Sequence, residues 1–518
     1  MRILITGGAG FIGSNLTKYL LNQGHKVIVV DNFFSGQKEN IKEFLNNSKF
    51  KLIVHDIRQP LKLFGIDRIY HLAALASPDH YLFDPVATLE TNVLGTKNIL
   101  DLALRNKARI LFTSTSEIYG DPEIHPQRED YLGNVDPLGR RSCYDEGKRA
   151  AETLCMDYHR EYKVDIRIVR LFNIYGPKMS MNDGRVISNF IVQGLNKEKL
   201  TIYGDGSHTR SFMYVDDLLP ALTKIIDQDE DLGPINLGNP EEVTILKLAE
   251  NISSLMNLSA NFNFIKEDLH AGRLDDPKMR CPDICRAQSL IHWQPQISLQ
   301  KGLEKTINYF QDEVKNKNKV LVLATSFYPL EGPAEKMARK IINRLNFWDF
   351  DVVTAKMDKK LKDFENVNGI NVYRVGTGSK WDKYLLPFLA LSKARKLNKE
   401  NNYKLVWSVM ATYASFAGLL FSILVKKLPF LITMDKDEKS KRVQNKVEWL
   451  FPLYKLLFKK SHTVITFDQE LKDKLDMLYY DSKVINIPFD EESSKWDIIA
   501  KKVKEALQRL EILGTRLK

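Results

Sequence analysis

Residues 2–31 read RILITGGAGFIGSNLTKYLLNQGHKVIVVD, and this stretch decides the fold of the first part of the chain. An apolar strand runs into Gly7, Gly10 and Gly13, which open a helical segment, and a second apolar strand ends at Asp31. Glycines at this spacing permit a tight turn, close approach of the backbone to a pyrophosphate, and packing of the helix on the strand. The pattern predicts a dinucleotide-binding βαβ unit with the phosphates at the helix N-terminus.

Asp31 indicates which dinucleotide is expected. A carboxylate at the end of the second strand accepts hydrogen bonds from both ribose hydroxyls and repels a 2′-phosphate, so NAD is favoured over NADP. Two further apolar strands, at 69–74 and 109–114, end in small residues that we expect to line the same cleft. Strands and helices alternate through about residue 175, which predicts a doubly wound parallel sheet.

Charge divides the 518-residue chain into two parts. Residues 1–318 carry 39 Lys and Arg against 41 Asp and Glu, a net charge of −2, whereas residues 319–518 carry 37 against 24, a net charge of +13. A polar run at 315–319 separates the two, so we predict domains at 1–318 and 319–518. The basic surplus indicates an anionic partner for the second domain. No nucleic-acid recognition motif is present, which disfavours DNA or RNA.

Cysteine content and the N-terminal residues indicate the compartment. Four cysteines in 518 residues do not make a disulfide scaffold, and Cys281 and Cys285 have no neighbouring ligands that would complete a zinc set. We therefore predict no metal site. The chain opens directly on a strand pattern without a leader-like apolar segment, so a cytoplasmic location is expected.

A second cluster of residues indicates a site for acid–base catalysis. Thr115, Ser116 and Glu117 follow the strand at 109–114, and Tyr144 and Lys148 lie four residues apart downstream. On a helix this spacing places Tyr144 and Lys148 on one face. An ammonium beside a phenol favours the phenolate, so we expect Lys148 to lower the pKa of Tyr144, as a base working near neutral pH requires.

The first part of the chain resembles the extended short-chain dehydrogenase/reductases, and within them the UDP-glucuronate decarboxylases (UDP-xylose synthases), over roughly residues 1–312. The motifs that carry the resemblance lie at 30–36, 84–86, 91–96, 142–149, 173–177, 183–186, 203–206, 209–212, 275–277 and 280–284. The resemblance implies a Rossmann domain with a small substrate lobe at roughly 177–300. It also implies bound NAD, UDP-glucuronate as substrate, and a homodimer formed through helices near 92–104 and 142–160.

The same resemblance assigns roles to individual residues. Tyr144 would take the proton of the sugar C4 hydroxyl, with Lys148 holding it anionic, and Thr115 and Ser116 would bind the C4 oxygen. Glu117 and Arg280 belong to the decarboxylation and C5 protonation step, and which of them delivers the proton stays open. The residues expected to hold NAD are Gly7, Gly10, Phe11, Ile12, Gly13, Asp31, Asn32, Phe33, Ser35, Gly36, Asp56, Ile57, Leu72, Ala73, Ala74, Thr91, Tyr144 and Lys148. Those expected to hold the sugar nucleotide are Ser77, Pro78, Tyr81, Asn173, Arg185, Val186, Asn189, Tyr203, Arg210 and Arg280.

Related activities are the alternatives for this part of the chain. The similar 4,6-dehydratases carry an Asp-Glu pair where this chain has Ser116 and Glu117, and so have an acid that this chain lacks. The similar 4-epimerases have no need of an arginine such as Arg280 to meet a carboxylate. A UDP-sugar 4-epimerase or 4,6-dehydratase therefore remains the second hypothesis.

The second part restarts with an apolar strand at 320–324 and alternates strands and helices, which predicts another α/β domain. It resembles the N-terminal, acceptor-side lobe of GT-B glycosyltransferases over roughly 319–490, on residues 326–336, 374–381, 415–420, 451–455 and the strand–helix from Thr463. The chain has only about 200 residues here, enough for one lobe. We therefore expect a truncated docking or acceptor-binding module; a bifunctional protein with a glycosyltransferase half is the alternative.

One segment of the second part reaches the length of a membrane span. Residues 405–425 are uncharged, but they contain several hydroxyl side chains and divide into a strand and a helix, so a buried strand–helix is predicted. Lysines at 426, 427, 455, 459 and 460 suit contact with anionic lipid. A peripheral location at the inner face of the membrane, or a glycan-assembly partner, is the corresponding expectation.

Overall fold

Two large β-sheets organise the chain, one in each of two compact units, Met1–Val314 and Lys315–Lys518. The computed structural model describes residues 1–181, 183–229, 233–266, 279–315, 318–345, 348–401, 403–425, 428–434, 456–479, 484–487 and, with gaps, 499–510. Motif residues 275–277 and 451–455, the lysines at 426, 427 and 455, and most of the predicted closing helix at 496–510 lie outside this range.

The first unit contains thirteen labelled strands and ten labelled α-helices among its described residues. They are β1 (Arg2–Thr6), α1 (Phe11–Asn22), β2 (Lys26–Asp31), β3 (Phe50–Val54), β4 (Arg68–His71), α2 (Pro78–Tyr81), α3 (Pro85–Glu90), α4 (Thr96–Asn106), β5 (Arg109–Thr115), α5 (Ser142–Tyr162), β6 (Ile166–Leu171), β7 (Ile174–Tyr175), α6 (Val186–Leu195), β8 (Leu200–Tyr203), β9 (Thr209–Ser211), β10 (Met213–Tyr214), α7 (Val215–Ile226), β11 (Ile235–Leu237), β12 (Glu242–Thr244), α8 (Ile245–Leu255), β13 (Phe262–Ile265), α9 (Cys285–Ile291) and α10 (Leu299–Lys315). Short 3₁₀ helices at Glu39–Phe44 and Ser116–Tyr119 and a π-helical turn at Thr91–Gly95 complete it.

Seven parallel strands form the sheet of this unit in the order β11-β6-β5-β4-β1-β2-β3. The side chains of β1 alternate between two cores: Ile3 and Ile5 join one cluster, and Leu4 joins the other. Both faces are buried, so the strands are apolar throughout and helices cover each side. The predicted doubly wound parallel sheet is confirmed.

A smaller set of elements extends from the carboxyl side of this sheet. Three two-stranded ladders, β7–β10, β9–β12 and β8–β13, pack with α6, α8 and α10 around their own buried core. Phe190, Leu303 and Phe310 lie at the centre of that core with almost no exposed surface. These elements provide the second wall of the cavity described below.

The second unit also has a sheet with helices on it. Its elements are β14 (Asn318–Leu323), α11 (Pro333–Ile342), β15 (Trp348–Ala355), β16 (Phe364–Val367), β17 (Ile370–Val375), α12 (Asp382–Asn401), β18 (Leu405–Val409), α13 (Tyr413–Val425), β19 (Phe430–Met434), β20 (Thr463–Thr466), α14 (Gln469–Tyr479) and β21 (Val484–Asn486). The order is β16-β17-β15-β14-β18-β19-β20-β21, with only β16 antiparallel to its neighbour among these strands. A second α/β domain was predicted and is present.

The uncharged segment 405–425 forms the buried strand β18 followed by α13, as predicted. Among the described residues, no helix combines the length and the hydropathy that a membrane crossing requires. In the sheet, Val406 pairs with Phe430 of β19 and Leu405 pairs with Val320 of β14. The apolar run therefore reflects a strand buried on both faces followed by a helix packed on the sheet.

Candidate active site

A cavity of about 560 Å³ opens at the carboxyl ends of the strands of the first unit. Strand order reverses between β1 and β4, and the turns that follow these two strands, at Gly7 and Leu72, both line the cavity. Crevices at such a reversal are where open α/β sheets bind ligands. The position of the cavity thus follows from the topology of the sheet.

The glycine turn fits a pyrophosphate. Gly7 has a φ of +71°, and a Cβ there would lie 2.9 Å from the backbone nitrogen of Ala73. A Cβ on Gly13 would overlap the carbonyl oxygen of Gly7. Helix α1 begins directly after Gly10 and has no side-chain cap, so the N–H groups of its first turn face the cavity without a carboxylate of this chain upon them.

Asp31 lies at the end of β2, and its carboxylate is fixed by two backbone N–H groups. Ala9 donates to Oδ2 at 2.9 Å and Phe33 donates to Oδ1 at 2.8 Å. Burial raises the pKa of this carboxyl group. Each oxygen retains a second lone pair, which suits a ribose diol, and a Cβ on Gly36 would lie 2.7 Å from Oδ1.

The cavity wall includes every residue predicted to hold NAD except Phe33 and Asp56. Phe33 has a φ of +57° and packs against the apolar core beside the sheet. The carboxylate of Asp56 pairs with Arg58 at 2.9 Å and accepts from Asn32. These two residues directly follow the cavity-lining residues Asn32 and His55 in the chain, and the carboxylate of Asp56 contacts two residues of the cavity wall, Asn32 and Arg58.

Tyr144 and Lys148 lie one turn apart on α5, and both line the cavity. The Lys148 ammonium donates to the carbonyl oxygen of Thr113 at 2.8 Å, and burial lowers the pKa of Lys148 to about 8. Burial raises the pKa of Tyr144, contrary to the lowering expected from Lys148. A hydrogen bond with the side chain of Thr115 lowers the pKa of Tyr144, but by less than burial raises it. The ring of Tyr144 stacks on Tyr81, with centroids 5.4 Å apart.

Glu117 is held between two arginines. Arg141, at the start of α5, and Arg280, from a segment after the substrate lobe, each donate to its carboxylate. The Nη2 group of Arg280 is buried and has no hydrogen-bond partner within the described part of the chain. Behind this cluster lies Asp145, whose pKa is raised to about 8 by burial and by the charge of Glu117.

The residues predicted to hold the sugar nucleotide all line the cavity. Several are fixed by local contacts: Asn173 donates to the carbonyl oxygen of Ser211 at 3.2 Å, and Asn189 donates to that of Gly184 at 3.1 Å. Arg185, which precedes α6, pairs with Asp183, and Arg210 on β9 is largely buried. The substrate lobe therefore presents two arginines to the cleft.

Sequence reasoning missed several residues of the wall. They include Asn40, His55, Arg58, His80, Arg141, Lys178, Asp183 and His208. Arg141 had an available signal, since it lies three residues before Tyr144 and reaches the same face at the start of α5. Lys178 has none: it approaches through a turn and pairs with Glu43 at 2.8 Å.

Three side chains of the first unit form a grouping that could hold a metal ion. His125, Glu242 and Cys281 bring one ligand atom each to within 4.8 Å of one another. His125 and Glu242 bond to each other at 2.8 Å, and the Cys281 thiol donates to the carbonyl oxygen of Pro240. The three residues come from separate segments, so spacing in the sequence could not show the grouping.

The fold and the cavity define a nucleotide-sugar enzyme of the short-chain dehydrogenase/reductase type. Residues 3–238 match the model of the NAD dependent epimerase/dehydratase family. A crystal structure of UDP-glucuronic acid 4-epimerase from Bacillus cereus, in complex with UDP-glucuronic acid and NAD, is 30% identical with a TM-score of 0.54, covering 60% of this chain and 99% of that chain.

Curated relatives show which family of nucleotide-sugar enzymes the chain belongs to. UDP-glucuronic acid decarboxylase 1 of Arabidopsis thaliana is 51% identical over 318 residues, which are 61% of this chain and 72% of that protein. UDP-glucuronic acid decarboxylase 1 of Danio rerio is 51% identical over 316 residues, 61% of this chain and 74% of that protein. The chain belongs to the UDP-glucuronic acid decarboxylase family.

Proposed function

We propose that the first unit converts UDP-glucuronate into UDP-xylose by NAD-dependent decarboxylation. The observation that carries this is the Glu117–Arg280 pair on the cavity wall, beside Tyr144. The unpartnered Nη2 group of Arg280 offers a donor for a substrate carboxylate. Family membership supports the same substrate and cofactor.

The residues that would hold the cofactor and those that would hold the nucleotide come from different elements of the cleft wall. The glycine turn and the N-terminus of α1 would hold the pyrophosphate of NAD, and Asp31 would hold a ribose. Bound NAD supplies an acceptor for the hydride of sugar C4 and later returns it. Arg185 and Arg210 bind the diphosphate of the substrate, because the guanidinium fork matches phosphate oxygens.

Tyr144 is the base that transfers the proton at sugar C4. Its phenolate accepts the proton of the C4 hydroxyl, with Lys148 stabilising the negative charge and Thr115 and Ser116 binding the oxygen. Since burial raises the pKa of the isolated Tyr144 phenol, the base depends strongly on these donors.

Decarboxylation follows from the chemistry of the oxidised sugar. A 4-keto sugar acid is a β-keto acid, so the C5–carboxylate bond breaks with its electron pair moving into the ketone. Carbon dioxide leaves, and C5 then takes up a proton. Glu117 and Arg280 border this step; either of them remains a candidate for delivering the proton. The re-reduced product keeps the UDP group.

For the second unit we infer a docking or acceptor-binding module that performs no transfer by itself. Two turns at the carboxyl edge of its sheet are closed by carboxylates of this chain. Glu335 accepts from the backbone of Gly332 at the start of α11. Asp382 accepts from the backbone N–H groups of residues 377–379 at 2.8–3.0 Å. Anions of the chain thus occupy positions that suit a phosphate.

Homodimer formation through helices near 92–104 and 142–160 is the proposed assembly. A 4-epimerase or 4,6-dehydratase is the alternative activity, and a glycosyltransferase half is the alternative for the second unit. Identification of the product by mass spectrometry separates the activities: decarboxylation lowers the mass by one CO₂, and epimerisation leaves it unchanged.

The test variant is Tyr144→Phe, assayed by CO₂ release from UDP-glucuronate. We expect a loss of at least about a hundredfold in kcat, as removal of a general base causes. Tyr162→Phe, an exposed tyrosine on the same helix, is the matched control and should retain full activity. Normal turnover by Tyr144→Phe would contradict the proposed mechanism.

A further inference from the structure

Helix α12 of the second unit presents an apolar outer face. Trp381, which directly precedes the helix, is 73% exposed, and within the helix Phe388 is 70%, Leu385 54% and Tyr384 40% exposed. Their spacing of three and four residues places them on one side of the helix. The opposite side, which includes Leu386, Ala390 and Ala394, is buried against the sheet.

The first two turns of α12 are therefore apolar on both sides. A helix that is apolar all round is normally covered on every side, and a contiguous exposed patch of this kind marks an interaction surface. The aromatic rings are also packed together: Trp381 contacts Tyr384 at 5.5 Å between centroids, and Tyr384 contacts Tyr413 of α13 at 5.2 Å. The aromatic rings thus form a packed platform.

Basic side chains continue along the same side of the helix. Arg395, Lys396 and Lys399 are exposed and follow Phe388 by two and three turns. At the other end, Lys380 is exposed, and Lys383 lies over the ring of Tyr384 at 5.0 Å. Asp382 is buried in its own turn and contributes no exposed negative charge. The aromatic platform is thus flanked by cations at both ends.

We propose that the α12 face, formed by Trp381, Tyr384, Leu385, Phe388, Arg395, Lys396 and Lys399, docks on the surface of an anionic lipid bilayer. Aromatic and aliphatic side chains bury at the boundary of headgroups and acyl chains, while Lys and Arg pair with the phosphates. Apposition of two copies of this face would instead bring like charges together, which disfavours self-association. The net charge of +13 on residues 319–518 likewise favours an anionic bilayer over a second copy of the chain.

This proposal rests on the docking role inferred for the second unit and names its partner. It does not involve the first unit, whose decarboxylation is measured separately. Failure of UDP-glucuronate turnover with normal lipid binding would therefore remove the proposed activity and leave the docking surface standing. Failure of lipid binding with normal turnover would remove the docking surface and leave the proposed activity standing.

The experiment is co-sedimentation of the full chain with vesicles of phosphatidylglycerol and phosphatidylcholine, and with vesicles of phosphatidylcholine alone. We expect binding to the anionic vesicles and at least about tenfold weaker binding to the neutral ones. Raising the salt from about 0.1 M to about 0.5 M should weaken anionic binding severalfold, because the Debye length shortens. Equal binding to both vesicles, or to neither, overturns the proposal.

Two double variants locate the surface. Trp381→Ser with Phe388→Ser should reduce the partition onto anionic vesicles at least about tenfold. Phe64→Ser with Leu132→Ser removes two equally exposed apolar side chains from the first unit and should bind as the wild type does. Both should retain UDP-glucuronate turnover. Unchanged partition of the α12 variant overturns the proposal, as does a dimer, seen by sedimentation velocity, that this variant abolishes without any vesicle binding.

Discussion

Glu117 and Arg280 form an ion pair although 163 residues separate them in the chain. Glu117 lies in the short 3₁₀ helix that follows β5, whereas Arg280 comes after the strands and helices of the substrate lobe. The pair therefore fixes the segment that returns from the lobe against the carboxyl edge of the main sheet. Arg141 donates to the same carboxylate from the start of α5, so three segments meet at one side chain.

Arg141→Lys tests whether the second arginine positions Glu117. A single ammonium lacks the guanidinium fork, so we expect the carboxylate to lose its orientation and kcat to fall about tenfold, with a smaller change in KM. Steady-state assays with UDP-glucuronate measure this. Arg140→Lys, at the exposed neighbouring position, should change neither constant. An unaltered kcat for Arg141→Lys would exclude the positioning role.

Cofactor selectivity should depend on Asp31 and not on Asp56. Asp31→Asn removes the charge that repels a 2′-phosphate, so the preference for NAD over NADP should fall by about tenfold or more. Titration of both dinucleotides gives the ratio. Asp56→Asn is the matched control because Asp56 does not line the cavity and its carboxylate is already paired with Arg58. A comparable loss of selectivity in that variant would place Asp56 in the site after all.

Asp145 should make the stability of the first unit depend on pH. Its pKa is about 8 in the folded chain against an ordinary value of 3.8, so the native state holds a proton that the unfolded state releases between these values. The free energy of unfolding should therefore fall as pH rises from about 4 to about 8 and level off above that. Urea unfolding followed by remaining decarboxylase activity reports the first unit.

Asp145→Asn should remove much of this fall, since an amide does not titrate. Asp157→Asn, an exposed position on the same helix, should keep the slope of the wild type. The interpretation would be wrong if the Asp145 variant and the wild type lost stability in parallel.

Asp382→Ala should open the turn at residues 377–379 of the second unit. Three backbone N–H groups would lose a charged acceptor and α12 an anion at its N-terminus, a cost of about 1–3 kcal/mol in the free energy of unfolding. Added inorganic phosphate should restore part of the loss by binding the vacated amides. Asp363→Ala, whose carboxylate is exposed, is the control. No change in stability would mean that the turn does not depend on Asp382.

Local periodicity predicted the parts of the site that lie within one element. The glycine turn, Asp31 at a strand end, and Tyr144 with Lys148 at helical spacing are set by neighbours in the sequence. The meeting of Glu117, Arg141 and Arg280 depends on tertiary packing between distant segments, and no local pattern encodes that the two arginines share one carboxylate.

Two sequence expectations differ from what the structure shows. Phe33 and Asp56 were expected at the cofactor, but they do not line the cavity, and a role for them in holding NAD stays a prediction. The pKa of Tyr144 was expected to fall, but burial raises it, and the Lys148 ammonium is bonded to the carbonyl oxygen of Thr113. The outer face of α12 was missed because aliphatic and aromatic residues on opposite sides of a helix blur its periodicity. The resemblance of residues 319–490 to a glycosyltransferase lobe stays a prediction.

The filled turns of the second unit give the two units different responses to ligand concentration. In the first unit the amides at the start of α1 are left for an external anion. Bound NAD therefore stabilises this unit by an amount that grows with the logarithm of the NAD concentration, about 2.7 kcal/mol at a hundred times Kd. In the second unit Glu335 and Asp382 occupy the corresponding amides at all times. The concentration of NAD thus contributes to the free energy of unfolding of the first unit, whereas these two turns of the second unit carry their own anions at any NAD concentration.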